Sequence, residues 1–206
     1  MKTRIFNLLI LDESGSMSSI EKQAVDSVNE TLQSVRAAQN EFENQEHYVS
    51  FVTFNSSGIK TILDRVEAGK AENITPKQFN PACCTPLYDA IGISVNQLKP
   101  SVAMSDKVLV TVITDGYENA SHEYDRTSIK ALTEKLGTQG WTFAYIGANQ
   151  DAMEAARSVG IKNAMNFTAS ESGTQEMSAK LCKSRTNWFH KIAMGKENEN
   201  IDFFEV

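Results

Sequence analysis

The stretch "LLILDESGSMSSIEK", from Leu8 to Lys22, drives four apolar residues into a carboxylate, Asp12, and then sets hydroxyls at alternate positions, Ser14 and Ser16. A second apolar run, "VLVTVITDGYEN", ends the same way, with Asp115 at its tip and Gly116 behind it. Two carboxylates that converge on one crevice repel unless a proton or a cation lies between them. A hard divalent cation takes oxygen ligands, and magnesium wants near-octahedral geometry at about 2.0–2.1 Å while keeping some of its waters. Asp12, Ser14 and Ser16 offer three such oxygens from one loop, and Gly15 and Gly116 are expected to let the backbone turn closely without a Cβ penalty. The hydroxyls are neutral, so a cation held this way keeps its appetite for an anion. The competing reading is local: a single strand-end carboxylate is solvated, and Ser14, Ser16 or Ser18 caps a helix over 19–40.

These residues need elements to position them. Residues 5–11, 49–54, 108–113 and 142–146 are rich in β-branched and aromatic side chains and read as buried strands of a parallel sheet. Ile20, Ala24, Val28, Leu32 and Val35 recur at helical spacing, as do Leu87, Ile91, Val95 and Leu98, each set forming one apolar stripe. Residues 128–137, 151–159 and 175–193 supply further helical patterns, and Gly160 suits a C-terminal cap. Residues 59–66 follow the turn cluster "NSSG" and read as an antiparallel edge strand. The alternation predicts an α/β fold, a doubly wound, Rossmann-like, mainly parallel sheet with one antiparallel edge strand and helices on both faces. Ligands of such sheets bind beyond the carboxyl ends of the strands, where the strand order reverses. We expect one domain over residues 1–194 and a tail over 195–206, its Phe203 and Phe204 docked on the body.

Composition narrows the partners. The chain has 206 residues, 41% hydrophobic and 22% charged, enough for one core. A net charge of −6 and a pI near 5.2 give no general attraction to nucleic acid or to an anionic membrane surface. The N-terminal apolar run stops at Asp12 without a small-residue cleavage site, so it reads as a strand, and no run reaches the roughly 18 apolar residues of a membrane helix. We expect a soluble, cytoplasmic protein. Cys83, Cys84 and Cys182 lack C-x-x-C spacing and nearby histidines, which indicates reduced thiols rather than a zinc site or a disulfide framework.

An enzyme would need more than this. A magnesium-dependent phosphatase or phosphotransferase is the chief rival, yet its D-x-D after the first strand is here Asp12-x-Ser14. Neither a P-loop nor a dinucleotide-binding glycine pattern occurs. Of His47, His122 and His190, only His122 follows Asp115 into the crevice loop "DGYENASHEYD", and a loop histidine is ordinarily a surface residue. Glu118 in that loop reads as a rim carboxylate or a solvated charge. Thr85, in "CCTPLYDA", also has a purely local reading, as a helix N-cap with Pro86 at the first helical position.

Asp12-x-Ser14-x-Ser16, then Thr85-Pro86, then a strand-terminal Thr114-Asp115-Gly116 resemble the metal-ion-dependent adhesion site of von Willebrand factor type A domains, over about residues 4 to 192. The resemblance implies that Asp12, Ser14, Ser16, Thr85 and Asp115 hold Mg2+, or Mn2+ or Ca2+ in its place. It implies further that one coordination position stays open for an Asp or Glu side chain of a protein partner. Bacterial domains of this kind also serve as adaptor subunits of ATPase-containing complexes. In members that switch, the last helix, here residues 175–193, moves with site occupancy. No catalytic residue is implied.

Overall fold

The structure is a computed structural model that describes residues 2–148, 151–196 and 203–204. Six strands form one sheet in the order β3-β2-β1-β4-β5-β6. They are β1 (Thr3–Asp12), β2 (Gln45–Asn55), β3 (Gly58–Glu67), β4 (Lys107–Thr114), β5 (Trp141–Ala148) and β6 (Asn163–Phe167). Every neighbouring pair is parallel except β2 with β3, which closes a hairpin at the sheet edge. The helices are α1 (Glu21–Glu41), α2 (Leu87–Leu98), α3 (Arg126–Gly137), α4 (Ala152–Ser158) and α5 (Glu171–Ala193).

The period-two alternation of β1 splits its apolar side chains between two cores. Ile5, Leu9 and Leu11 join Val28, Leu32 and Val35 of α1 and Leu181, Phe189 and Ile192 of α5. Phe6, Leu8 and Ile10 face Ile91 and Val95 of α2, Ile129 of α3 and Ala156 of α4. The doubly wound architecture is therefore as the alternating pattern predicts. Phe203 and Phe204 lie buried in the first core, and the Phe203 amide donates to Asn163 Oδ1 at 3.0 Å. The other tail residues beyond Lys196 lie outside the described residues.

Three local features depart from the sequence reading. Strand β6 has no counterpart in it, because "NAMNF" is short and two of its five residues are asparagines. A 3-10 turn over Gly15–Ile20 precedes α1, and no side chain caps either segment, so Ser14, Ser16 and Ser18 are not N-caps of α1. Pro86 stands one residue ahead of α2 rather than at its first turn, and Thr85 makes no capping bond there. Gly160 does cap α4: its φ is +74° and its amide donates to Arg157 O at 3.1 Å. Among the described residues, no helix is long and apolar enough to cross a membrane.

Candidate metal centre

The chain reverses its direction of growth between β1 and β4: after β1 it builds outward to β2 and β3, then returns to add β4 on the other side. Their registers run side by side to Leu11 opposite Ile113, so Asp12 and Asp115 both emerge at this switch point. Asp12 is fully buried. Its Oδ1 accepts the Ser14 amide at 2.7 Å and its Oδ2 accepts the Thr114 hydroxyl at 2.6 Å. Burial outweighs those bonds and pushes the Asp12 carboxyl up to about 6, with the nearby Asp115 charge adding to the rise. Asp115 is half-buried and its carboxyl is also raised, again by desolvation, against the opposing bond from Ser16. Ser16 Oγ donates to Asp115 Oδ1 at 2.6 Å and lies 3.3 Å from Ser14 Oγ.

Thr85 enters from the loop before α2. Asn119 brackets its backbone, accepting the Thr85 amide at 2.8 Å through Oδ1 and donating its own amide to Thr85 O at 3.1 Å. A Cβ added to Gly116 would sit 3.3 Å from Thr85 Oγ1 and 3.9 Å from Ser16 Oγ, so glycine there keeps the converging oxygens unobstructed. Gly15 has no such need, since its added Cβ would make only ordinary contacts, with Cys83 O at 3.5 Å, Cys83 N at 3.8 Å and Ala82 C at 4.0 Å. All five residues singled out by the sequence thus belong to three loops at one end of the sheet.

A surrounding ring of bonds was not legible in the sequence. Glu13 is 5% exposed despite its charge. Its carboxylate accepts the Asn80 amide, its carbonyl accepts the Ala82 amide at 2.9 Å, and Gly15 N donates to Cys83 O at 3.1 Å, which zips the loop before Thr85 onto the Asp12 loop. Asp89 on α2 accepts the amides of His122, Glu123 and Tyr124 at 2.8–2.9 Å. Glu118 is not a solvated charge: it accepts the amides of Tyr88, Ala120 and Ser121. Together they tie the loop after Asp115 to α2. The only sequence signal was acid near a helix start, which reads equally as a dipole complement. His122 is exposed, and its amide rather than its ring is engaged.

Among the described residues, no group of three or more His, Cys, Asp or Glu side chains is placed to hold a metal ion. The donor set here is two carboxylates and three hydroxyls, all hard oxygens, which suits Mg2+, Mn2+ or Ca2+ rather than a soft metal. Thr85 is 3% exposed, and its hydroxyl makes no hydrogen bond to any described residue. A hydroxyl oxygen with no hydrogen bond to any described residue, converging with Ser16 Oγ around Gly116 on the side of Asp115, is free to turn toward a hard cation.

The fold is that of von Willebrand factor type A domains. The chain is similar to a von Willebrand factor type A protein from Catenulispora acidiphila, with 14% identity over 86% of this chain and 42% of that one, at a TM-score of 0.60. It is similar also to the vWF domain of the type V pili tip protein Mfa5 from Porphyromonas gingivalis, at 10% identity, 98% and 99% coverage and a TM-score of 0.60. The VWA domain of SpRpn10 matches at 13% identity, 85% and 93% coverage and a TM-score of 0.59. The chain therefore spans less than half of the Catenulispora protein but nearly all of the isolated Mfa5 and SpRpn10 domains. No protein-family sequence model matches the chain, and no curated protein matches it by sequence.

Proposed function

We propose that this protein is a metal-ion-dependent protein-interaction module without catalysis of its own. Asp12, Ser14, Ser16, Thr85 and Asp115 would hold Mg2+, or Mn2+ or Ca2+, and the protein partner would complete the shell with an Asp or Glu side chain. The observation that carries this reading is the convergence of the Thr85 hydroxyl, which bonds to no described residue, with Ser16 and two carboxyls raised by burial. When bound, the cation supplies a positive charge in a partly dry crevice, where a charge-assisted bond to a carboxylate is strong. The chain's own groups do the rest. Ser14 N and Thr114 Oγ1 orient the two Asp12 oxygens, Ser16 orients Asp115, and Asn119 fixes Thr85. The three cysteines are free, which suits a reducing compartment, and we assign the protein to the cytoplasm.

Two measurements test this together. Mn2+ binding, followed by the loss of the free-ion electron paramagnetic resonance signal, should weaken on Asp12→Ala by at least the roughly 10–100-fold typical of losing an outer-shell partner. A pull-down from native lysate should lose the same protein bands with a chelator and with Asp12→Ala. Unchanged Mn2+ affinity, or identical lanes in all conditions, would overturn the reading.

A further inference from the structure

The loop that carries Thr85 opens with two adjacent thiols, Cys83 and Cys84, both exposed and free. Cys83 is held at a φ of +65°, a left-handed conformation that among the described non-glycine residues only Arg65 shares. The peptide unit between the two cysteines is gripped on both sides. Its carbonyl, from Cys83, accepts the Gly15 amide at 3.1 Å, and its amide, from Cys84, donates to Ser56 Oγ at 3.2 Å. The next carbonyl, Cys84 O, accepts the Ser56 amide at 3.1 Å. Gly15 lies between Ser14 and Ser16, and Cys84 is followed by Thr85. One peptide unit thus joins two of the three loops that supply the oxygens.

We propose that Cys83 and Cys84 form a reversible oxidation site, closed by a peroxide into a vicinal disulfide, and that closure disassembles the candidate metal centre. The second half of this inference rests on the function proposed above. In the first step one thiol sulfur attacks a peroxide oxygen and the O–O bond breaks. The departing hydroxide takes the thiol proton as water, leaving a sulfenic acid. The neighbouring sulfur then attacks the sulfenic sulfur, the S–O bond breaks, and a second water leaves with the second thiol proton. Two thiols have been oxidised and one peroxide reduced.

Geometry links this chemistry to the site. Adjacent Cα atoms stand about 3.8 Å apart across a trans peptide, closer than the roughly 4.4–6.8 Å usual for a disulfide. That separation is fixed by the covalent chain, so the strain of closing the small ring falls on the torsions of the peptide inside it, the very peptide that holds Gly15. Its carbonyl cannot turn with the ring and keep the Gly15 amide. The Asp12 loop loses its tie, and Thr85, one residue on, is displaced. An exposed, distorted cross-link is readily reopened by thiol reductants, which makes the change reversible.

The test uses the full chain, treated with hydrogen peroxide and then with dithiothreitol. Mass mapping should find one proteolytic peptide holding both cysteines and lacking two hydrogens. Exchange of the Gly15 amide, followed by NMR without added metal, should speed up by about tenfold or more on oxidation and recover on reduction. Mn2+ affinity should fall by roughly 10–100-fold in parallel. Cys84→Ser should bind Mn2+ as the parent does, form no cross-link with peroxide, and keep its Gly15 exchange rate after treatment. Thiols that pass to sulfinic acid without cross-linking would overturn the proposal, as would a cross-link that leaves Gly15 exchange unchanged. If the reduced chain fails to bind Mn2+, the metal reading falls, while Gly15 exchange still decides the oxidation site.

Discussion

Thr114 commits its hydroxyl proton to Asp12 Oδ2 at 2.6 Å while its oxygen accepts the Gly116 amide at 3.1 Å, so one side chain braces both carboxylate loops. Thr114→Val keeps the shape and removes both bonds. Asp12 Oδ2 then loses a hydroxyl donor, and its carboxyl rises further above about 6, because the largest of the bonds that oppose burial is gone. We expect Mn2+ affinity to drop by about tenfold in Thr114→Val and to return in Thr114→Ser, with Mn2+ titration as the measure. A loss of affinity that Thr114→Ser fails to restore would assign the defect to packing instead. The contrast with the five proposed ligands is instructive. Asp12 and Asp115 were legible because a charge ending an apolar run is improbable without a purpose, and Ser14 and Ser16 because they follow at alternate positions. Thr114 was legible only as part of the Thr-Asp-Gly motif, and its bond to Asp12 was not, since threonine is an ordinary strand residue and its partner lies 102 positions away. Asn119 and Asp89 were hidden for the same reason: they act on backbone groups that only the folded loop brings near.

At the scale of elements, the strands that bury both faces announced themselves through continuous apolar runs, and helices α1 and α2 through their stripes. Strand β6 did not, because an edge strand with one polar face carries too short a pattern to stand apart from a loop. The seam between α1 and α5 shows a different limit of sequence reading, since helical periodicity marks which face is apolar but not what polar groups it traps. Arg185 of α5 is 1% exposed. Its Nη1 reaches Thr31 Oγ1 at 3.1 Å and Ser34 Oγ at 3.4 Å, while Nε and Nη2 have no partner among the described residues. Burial pulls its pKa down to about 10, which still leaves it charged at neutral pH. With no counter-ion among the described residues, this buried charge costs more than its few hydrogen bonds return. Arg185→Met, of similar length and apolar, should therefore stabilise the fold by about 1–3 kcal/mol. Each kcal/mol corresponds to roughly 2–4 °C in melting temperature for a chain of this size. A denaturation midpoint that falls instead would show that the guanidinium is satisfied in the native protein and that the seam depends on it.

For the whole molecule, the two cores couple distant segments, so a group with no part in the candidate site can set the response to pH. His47 on β2 is 1% exposed and packs edge-on against Phe189 of α5, with ring centroids 4.5 Å apart. Its Nε2 lies 2.9 Å from Gln45 Oε1, and Nδ1 has no partner among the described residues. Desolvation lowers its pKa to about 4, against about 6.5 for histidine in an unfolded chain. The native state thus holds His47 neutral, and its contribution to stability is complete above about pH 6.5. As the pH falls from there toward about 4, the unfolded chain takes up a proton that the folded one refuses, at about 1.4 kcal/mol per pH unit. Asp12 has the opposite sign. Its raised carboxyl favours the metal-free fold below the unfolded value of 3.8, and that contribution is lost as the pH rises through about 6. Comparing variants at each pH with a chelator present cancels Asp12 and isolates the histidine. Between pH 7 and pH 5 the parent chain should lose about 2 kcal/mol more stability than His47→Phe, measured by urea denaturation. Parallel pH profiles for the two proteins would mean that His47 gains its proton in the folded state, and that the β2–α5 contact opens to water well above pH 4.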